Sequence, residues 1–381
     1  MQIFMSAGEP SGDLHGANLI RELKKRLPHL DVVGFGGPRM ADAGAELLYP
    51  LTELAVMGVG QVAAHLKTFL HLGSMAEQFF RNHRPKALIL IDYPGFHWHL
   101  ARRAHRYGVP VYYFVPPQLW AWASYRVARI RKHFTAVLTA LPFEETWYAE
   151  RGVRTHYIGH PFFDEVLHQQ LDADFMNTER AKSGTIVALL PGSRTQEVEL
   201  NGPVLVNAAK RIHAARPEVR FLVAAFKPKH AGMVRQFVGG SNLPIDIHVG
   251  KTPEIIELAK VCGAVSGSVS LELLARRKPT VISYRSSWLF NTLARTLVKV
   301  KYFTLVNLLA DAELYPEFAS DKDESQAIAD KLLHWLNDES ANVEVVRKLE
   351  ELCGKVAVPG AVGRAADFFV KEFVQRNNPR D

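Results

Sequence analysis

Cysteine is scarce in this chain: only Cys262 and Cys353 occur, far apart and without metal-ligand spacing. That argues against a disulfide scaffold and points to a reducing compartment. Long hydrophobic runs are also lacking, with nothing near the roughly 20 residues needed to span a bilayer. Any membrane contact is therefore expected at the surface. Met1-Gln2-Ile3-Phe4-Met5 runs directly into a strand-like segment, and no secretory leader is expected. Neither G-x-G-x-x-G nor G-x-x-x-x-G-K-[ST] occurs, which removes support for NAD and Walker-type ATP chemistry. A dense basic tract is missing too, although the net charge is +7. An anionic partner is expected, such as a phosphorylated substrate or an acidic membrane surface, and a nucleic acid is not.

What is present is an α/β pattern, stated twice. At 381 residues the chain exceeds one ordinary core. Strand-like runs at 2–6, 32–35, 87–91, 109–115 and 136–141 alternate with helical spacing in the first half. A polar, acidic stretch over 162–184 reads as a connection, after which strands restart near 185–190, 220–225, 245–249, 263–266 and 279–284. Such alternation implies two α/β domains with parallel sheets, expected at 1–165 and 166–349.

Four turns carry candidate chemistry. Leu189-Leu190-Pro191-Gly192-Ser193-Arg194 joins a strand to a helix. Gly192 and Ser193 offer backbone N–H groups to a phosphate, with the helix N-terminus and the Arg194 guanidinium adding charge; an ordinary turn with a solvated arginine is the alternative. Gly267 and Ser268 repeat the arrangement, and Glu272 follows one turn later, placed either for ribose hydroxyls or as a stabilising acid near a helix start. In the first half, Ala7-Gly8-Glu9-Pro10-Ser11-Gly12-Asp13 follows the first strand. Ser11 or Asp13 there serves a ligand or caps the next helix. Asp92 ends the strongly apolar strand 87–91 before Tyr93-Pro94-Gly95, a position suited to acid–base work or to an N-cap. His97 and His99 fall on different helix faces, which disfavours a metal pair. The apolar stretch from Ala55 to Phe80 reads as a buried helix or a lipid-facing surface, and Trp120-Ala121-Trp122 beside Arg126, Arg129, Arg131 and Lys132 is open to the same two readings.

Taken together, these stretches resemble the lipid-A-disaccharide synthase family, GT-B glycosyltransferases of family 19. The resemblance covers nearly the whole chain. Its other carriers are Glu53 to Gly58, Leu141-Pro142-Phe143-Glu144, Ile158-Gly159-His160, Glu197-Val198-Glu199 and Asn307-Leu308-Leu309. It implies two Rossmann-like domains facing a cleft, with helices of 350–381 crossing back to the first. The implied reaction joins UDP-2,3-diacylglucosamine to 2,3-diacylglucosamine 1-phosphate through a β-1,6 linkage, inverts the donor carbon and releases UDP. It would take place in lipid A biosynthesis at the cytoplasmic face of the inner membrane, with the enzyme peripherally attached and self-association left open. Asp92 is the implied base. Gly192, Ser193, Arg194, Gly267, Ser268, Glu272 and Asn307 take the UDP-sugar side, and Gly8, Glu9, Ser11 and His160 the acceptor side. No cofactor is implied; no acidic cluster is read as a magnesium site, and metal-independent transfer is expected. One departure stands out: Pro94-Gly95-Phe96-His97 replaces a Pro-Asp-Phe-Asn style run, so that His97 stands where the family resemblance calls for asparagine. A UDP-N-acetylglucosamine 2-epimerase on the same scaffold, or a non-catalytic nucleotide-binding protein, are the competing readings.

Overall fold

The computed structural model describes residues 1–55, 66–285 and 301–375. The chain divides into two compact units, Met1–Asp164 with Val358–Asp381, and Glu165–Ala357. The first unit is built on strands β1 (Gln2–Ala7), β2 (Asp31–Phe35), β3 (Glu46–Tyr49), β4 (Leu88–Ile91), β5 (Val111–Phe114), β6 (Ala136–Thr139) and β7 (Thr155–Tyr157). They form one parallel sheet in the order β3-β2-β1-β4-β5-β6-β7. Side chains alternate across it with the period of a strand. Ile3, Met5, Ala7, Ile89 and Ile91 pack on one face with Leu19, Ile20 and Leu23 of the helix Pro10–Arg26, and with Phe369 and Phe373 of the helix Ala361–Gln375. Phe4, Leu88 and Leu90 pack on the other face with Leu72, Ala76 and Phe80 of Leu66–His83 and with Leu100 and Ala104 of Pro94–Arg106. A sheet covered on both faces explains why β4 reads as an uninterrupted apolar run.

The second unit repeats the plan with β8 (Ile186–Leu190), β9 (Arg220–Ala225), β10 (Ile245–Val249), β11 (Val261–Val265), β12 (Thr280–Arg285) and β13 (Glu317–Ser320), ordered β10-β9-β8-β11-β12-β13. Val187, Leu189, Phe221, Val223 and Val261 meet Val204, Leu205, Ala208 and Ile212 of the helix Thr195–Ala215, and Leu332 and Trp335 of the helix Ser325–Asn337.

Three strands escaped the sequence reading: β3, β7 and β13. Each is three or four residues long, stands at a sheet edge and has only partly buried or exposed residues, so it lacks the apolar run that marks a central strand. The connecting stretch is also more ordered than its composition suggests, holding the helices Pro161–His168 and Ala173–Arg180. The return to the first unit begins at Val358 rather than 350, because the helix Glu339–Val356 runs unbroken through the second unit. Val56, Met57, Gly58, Val59, Val62 and His65 lie outside the described residues.

Candidate functional site

In both sheets the chain works outward from a central strand and then returns to that strand's other side. The reversals fall between β1 and β4 and between β8 and β11. Loops leaving the carboxyl ends of strands at such a reversal diverge to opposite faces, and the gap between them is where open α/β sheets bind ligands. The sequence-predicted residues collect there: Gly8 to Asp13 after β1, Asp92 after β4, Gly192 to Arg194 after β8, and Gly267 to Glu272 after β11.

In the first unit, Asp92 and Tyr93 both adopt left-handed backbone, with φ of 47° and 50°. A non-glycine residue in that region costs on the order of 1–3 kcal/mol and persists only where its surroundings impose it. Here the imposing contacts are visible. The Asp92 carbonyl accepts hydrogen bonds from His97 Nδ1 at 2.6 Å and from the Tyr113 hydroxyl at 3.0 Å. Pro94 at the first helical turn then fixes the departure of Pro94–Arg106. Val115, at the end of neighbouring β5, is left-handed as well, at φ 55°. The Asp92 carboxyl is partly buried, and burial, with the negative charge of Glu9 adding to it, pushes its pKa up to about 6. Its side chain is not an N-cap, since the residue before the helix is Tyr93 and no side-chain cap bond forms.

The loop after β1 has more structural than ligand-directed use. Gly8 makes room for a ring: a Cβ there stands 2.3 Å from Tyr93. Asp13 is buried and caps not its own helix but Pro38–Asp42, accepting from the N–H groups of Gly37, Arg39 and Met40 at 2.8, 3.1 and 3.1 Å. Ser11 is exposed, and Glu9 half-buried. His160 accepts from the Phe162 N–H at 3.2 Å, and burial holds its pKa down to about 3, so it acts as a neutral group.

In the second unit, Gly192 is required by its φ of 113° and by Glu197, whose Cβ lies 2.6 Å from a Cβ placed at 192. The Glu197 carboxylate folds back to accept the Ser193 and Arg194 N–H groups at 3.0 and 3.1 Å. The Ser193 N–H, expected to face a phosphate, therefore serves an internal anion together with the Arg194 N–H beside it. The signal was legible as a glutamate three residues into a helix start. The Arg194 guanidinium is 74% exposed, with one bond of 3.3 Å to Glu197. Gly267 is exposed, and no atom lies within 4 Å of its Cβ position, so its backbone is open to close approach. Glu272 is buried; burial raises its pKa against the pull of Arg276, which is bonded to one carboxylate oxygen at 3.3 Å.

Asn307 is a correction. It is fully buried and its amide is fully used: Nδ2 donates to the Tyr315 carbonyl and to Glu317 at 2.7 and 2.9 Å, and Oδ1 accepts from Leu314 and Tyr315 N–H at 2.9 and 2.8 Å. This residue organises the approach to β13 and has no group left for a sugar nucleotide.

Metal-site candidates are equally committed. Two Asp-x-Asp pairs occur, Asp172-Ala173-Asp174 and Asp321-Lys322-Asp323, so metal independence finds no support in a lack of such pairs. Asp172 caps the helix Ala173–Arg180 and pairs with Lys251, and Asp323 accepts from Asn207 and Ser325. Among the described residues Glu179, Asp246 and His248 bring ligand atoms within 4.8 Å of one another. Lys182 already sits 2.8 Å from Glu179 and 3.1 Å from Asp246, with Arg220 at 2.5 Å from Glu179. Their charge is answered by side-chain cations.

Apolar and basic groups share the outside of the first unit. Trp120 is held inward by Glu144 at 2.9 Å, whereas Trp122 is 47% and Tyr125 70% exposed, with Arg126 lying 4.8 Å from the Trp122 ring centroid. Leu72, Ala76 and Phe80 bury the later turns of Leu66–His83, while Leu66 and Leu70 near its start stay exposed. Among the described residues no helix is long and apolar enough to cross a membrane.

Solved structures place the fold. The chain aligns at a TM-score of 0.63 with a UDP-GlcNAc 2-epimerase from Neisseria meningitidis bound to UDP-GlcNAc, at 10% identity over 98% of this chain and all of that one. It aligns equally, at 0.63, with the calicheamicin glycosyltransferase CalG4, at 15% identity over 99% of each chain. The fold class is GT-B, and at these identities the likeness extends to fold alone, so it does not choose between epimerase and transferase. Sequence does. The lipid-A-disaccharide synthase of Anaeromyxobacter sp. (strain K) is 32% identical over 367 residues, 96% of each chain. The family model described as lipid-A-disaccharide synthetase matches residues 3–357, which contain both sheets, but for Gln2, and every loop gathered at the two reversals. This chain belongs to the lipid-A-disaccharide synthetase family.

Proposed function

We propose that this chain joins UDP-2,3-diacylglucosamine to 2,3-diacylglucosamine 1-phosphate by one inverting displacement. The acceptor's primary hydroxyl loses its proton to the Asp92 carboxylate while its oxygen bonds to the donor's anomeric carbon. The bond from that carbon to the diphosphate breaks, and UDP leaves with the electron pair. The observation that carries this reading is Asp92 itself, held in left-handed backbone at the β1/β4 reversal with its pKa raised to about 6. A base is most effective when its pKa lies near the working pH.

Charge grows on UDP as it departs. The exposed Arg194 guanidinium and the open backbone at Gly267 and Ser268 stabilise it without a metal. Glu272 retains one oxygen for the ribose beyond its bond to Arg276. Gly8, Glu9, Ser11 and His160 border the acceptor. Leu66, Leu70, Trp122 and Tyr125, with Arg126 and its basic neighbours, rest on the inner membrane's anionic cytoplasmic surface, from which both acylated substrates are drawn.

The experiment is mass spectrometry of the purified chain incubated with both substrates in EDTA. An acylated disaccharide 1-phosphate together with UDP is the expected outcome. UDP binding without product overturns the acceptor assignment, and product only after added magnesium overturns metal independence.

A further inference from the structure

His97 is fully buried, so it cannot meet a substrate directly, yet both ring nitrogens are engaged beside Asp92. Nδ1 lies 2.6 Å from the Asp92 carbonyl oxygen, which can only accept, so this nitrogen carries the proton. Nε2 is then an acceptor, and the hydroxyl of Ser6, on β1, donates to it across 2.9 Å. Tyr113, on β5, supplies the second bond to the same carbonyl at 3.0 Å. Strands on either side of β4 thus converge on one backbone oxygen, that of the left-handed residue. Releasing that oxygen lets the 92–93 peptide turn toward an ordinary conformation and carries the carboxylate direction with it.

We propose that His97 is a positioning residue for Asp92, holding the base through its backbone carbonyl with Ser6 and Tyr113 as partners. The proposal rests on Asp92 being the base. Burial keeps the His97 pKa down at about 3, so the strap stays neutral and its tautomer unchanged through the working range. The contact uses the Asp92 carbonyl and not its carboxylate.

The test uses side chains that reproduce one ring nitrogen at a time. Asparagine places an amide N–H near Nδ1; glutamine places one near Nε2. His97→Asn is expected to stay within about threefold of the parent, and His97→Gln to lose about tenfold or more in kcat with little change in KM for the UDP-sugar. The acid limb of kcat/KM moves in His97→Gln. The double variant with Asp92→Asn is no slower than Asp92→Asn alone, since His97 acts through Asp92. A folded His97→Gln with parental kcat and acid limb overturns the proposal. So does a double variant slowed by the full His97→Gln factor, which marks a general structural role. Should His97→Gln fail to fold by circular dichroism, Tyr113→Phe removes the other donor and is judged by the same two outcomes. Asp92→Asn separates the layers: parental rate there overturns the base assignment itself, whereas a slow Asp92→Asn beside an unaffected His97→Gln overturns the strap alone.

Discussion

The Tyr93 ring occupies the space that a side chain at residue 8 needs: a Cβ at Gly8 comes within 2.3 Å of it. Gly8 therefore bears indirectly on the proposed base, since Tyr93 shares the left-handed turn with Asp92. Gly8→Ala is expected to push the ring aside and slow transfer about tenfold or more. The overpacking costs about 1–3 kcal/mol of stability, read by kinetics and thermal unfolding. Parental kinetics with parental stability shows that the Gly8–Tyr93 contact does not constrain the turn.

The raised pKa of Asp92 has two consequences of opposite sign. A base must be ionised, so kcat/KM falls as pH drops through about 6. Stability moves the other way. The folded state binds a proton more readily than the unfolded one, so protonation between about 6 and the ordinary value of 3.8 favours folding. A pH–rate profile and pH-dependent melting of the parent and Asp92→Asn check both. The variant is slow at every pH and lacks this stability increment; an acid limb centred near pH 4 contradicts the assignment.

Arg194 is the exposed charge at the β8/β11 reversal. Arg194→Ala is expected to weaken UDP binding by about 1.5–3 kcal/mol, the value of a charge-assisted hydrogen bond. Isothermal titration with UDP measures it. Unchanged affinity shows that the diphosphate lies elsewhere.

Asn307 separates scaffold from site. Asn307→Leu leaves the part-buried Leu314 and the buried Tyr315 N–H groups without their acceptor, at a cost of about 1–3 kcal/mol for the buried one. Lower thermal stability with UDP affinity retained is expected. A large loss of UDP affinity in folded protein returns Asn307 to the ligand side.

Membrane docking is checked by flotation with anionic liposomes. Binding is expected to weaken at high salt, and in Trp122→Ser combined with Leu70→Ser, by about the several kcal/mol carried by two exposed apolar side chains. Failure to float at low salt sinks the proposal.

Much of this was legible in the sequence because central strands of a twice-covered sheet are apolar throughout, and their carboxyl-end loops are rich in glycine and proline. Position could be read: Asp92, Gly192 and Gly267 stand where the strand pattern put them. Hydrogen-bond occupancy could not. That the N–H groups of Ser193 and Arg194 turn to Glu197, that Asp13 caps a helix some 25 residues on, and that the Asn307 amide is saturated all depend on tertiary geometry. In the sequence His97 stands out only as an unusual residue; its link to Ser6, 91 positions earlier, needs the sheet to bring β1 beside β4.

The helix Ala361–Gln375 has a consequence for biosynthesis. It lays Phe369 and Phe373 over the first unit's sheet, beside residues encoded more than three hundred positions earlier. As the ribosome releases the chain, the second unit is complete in one continuous stretch, whereas the first still has an uncovered apolar face. The unit that holds Asp92 is thus translated first and finished last. In that interval its unfinished face calls for protection from aggregation.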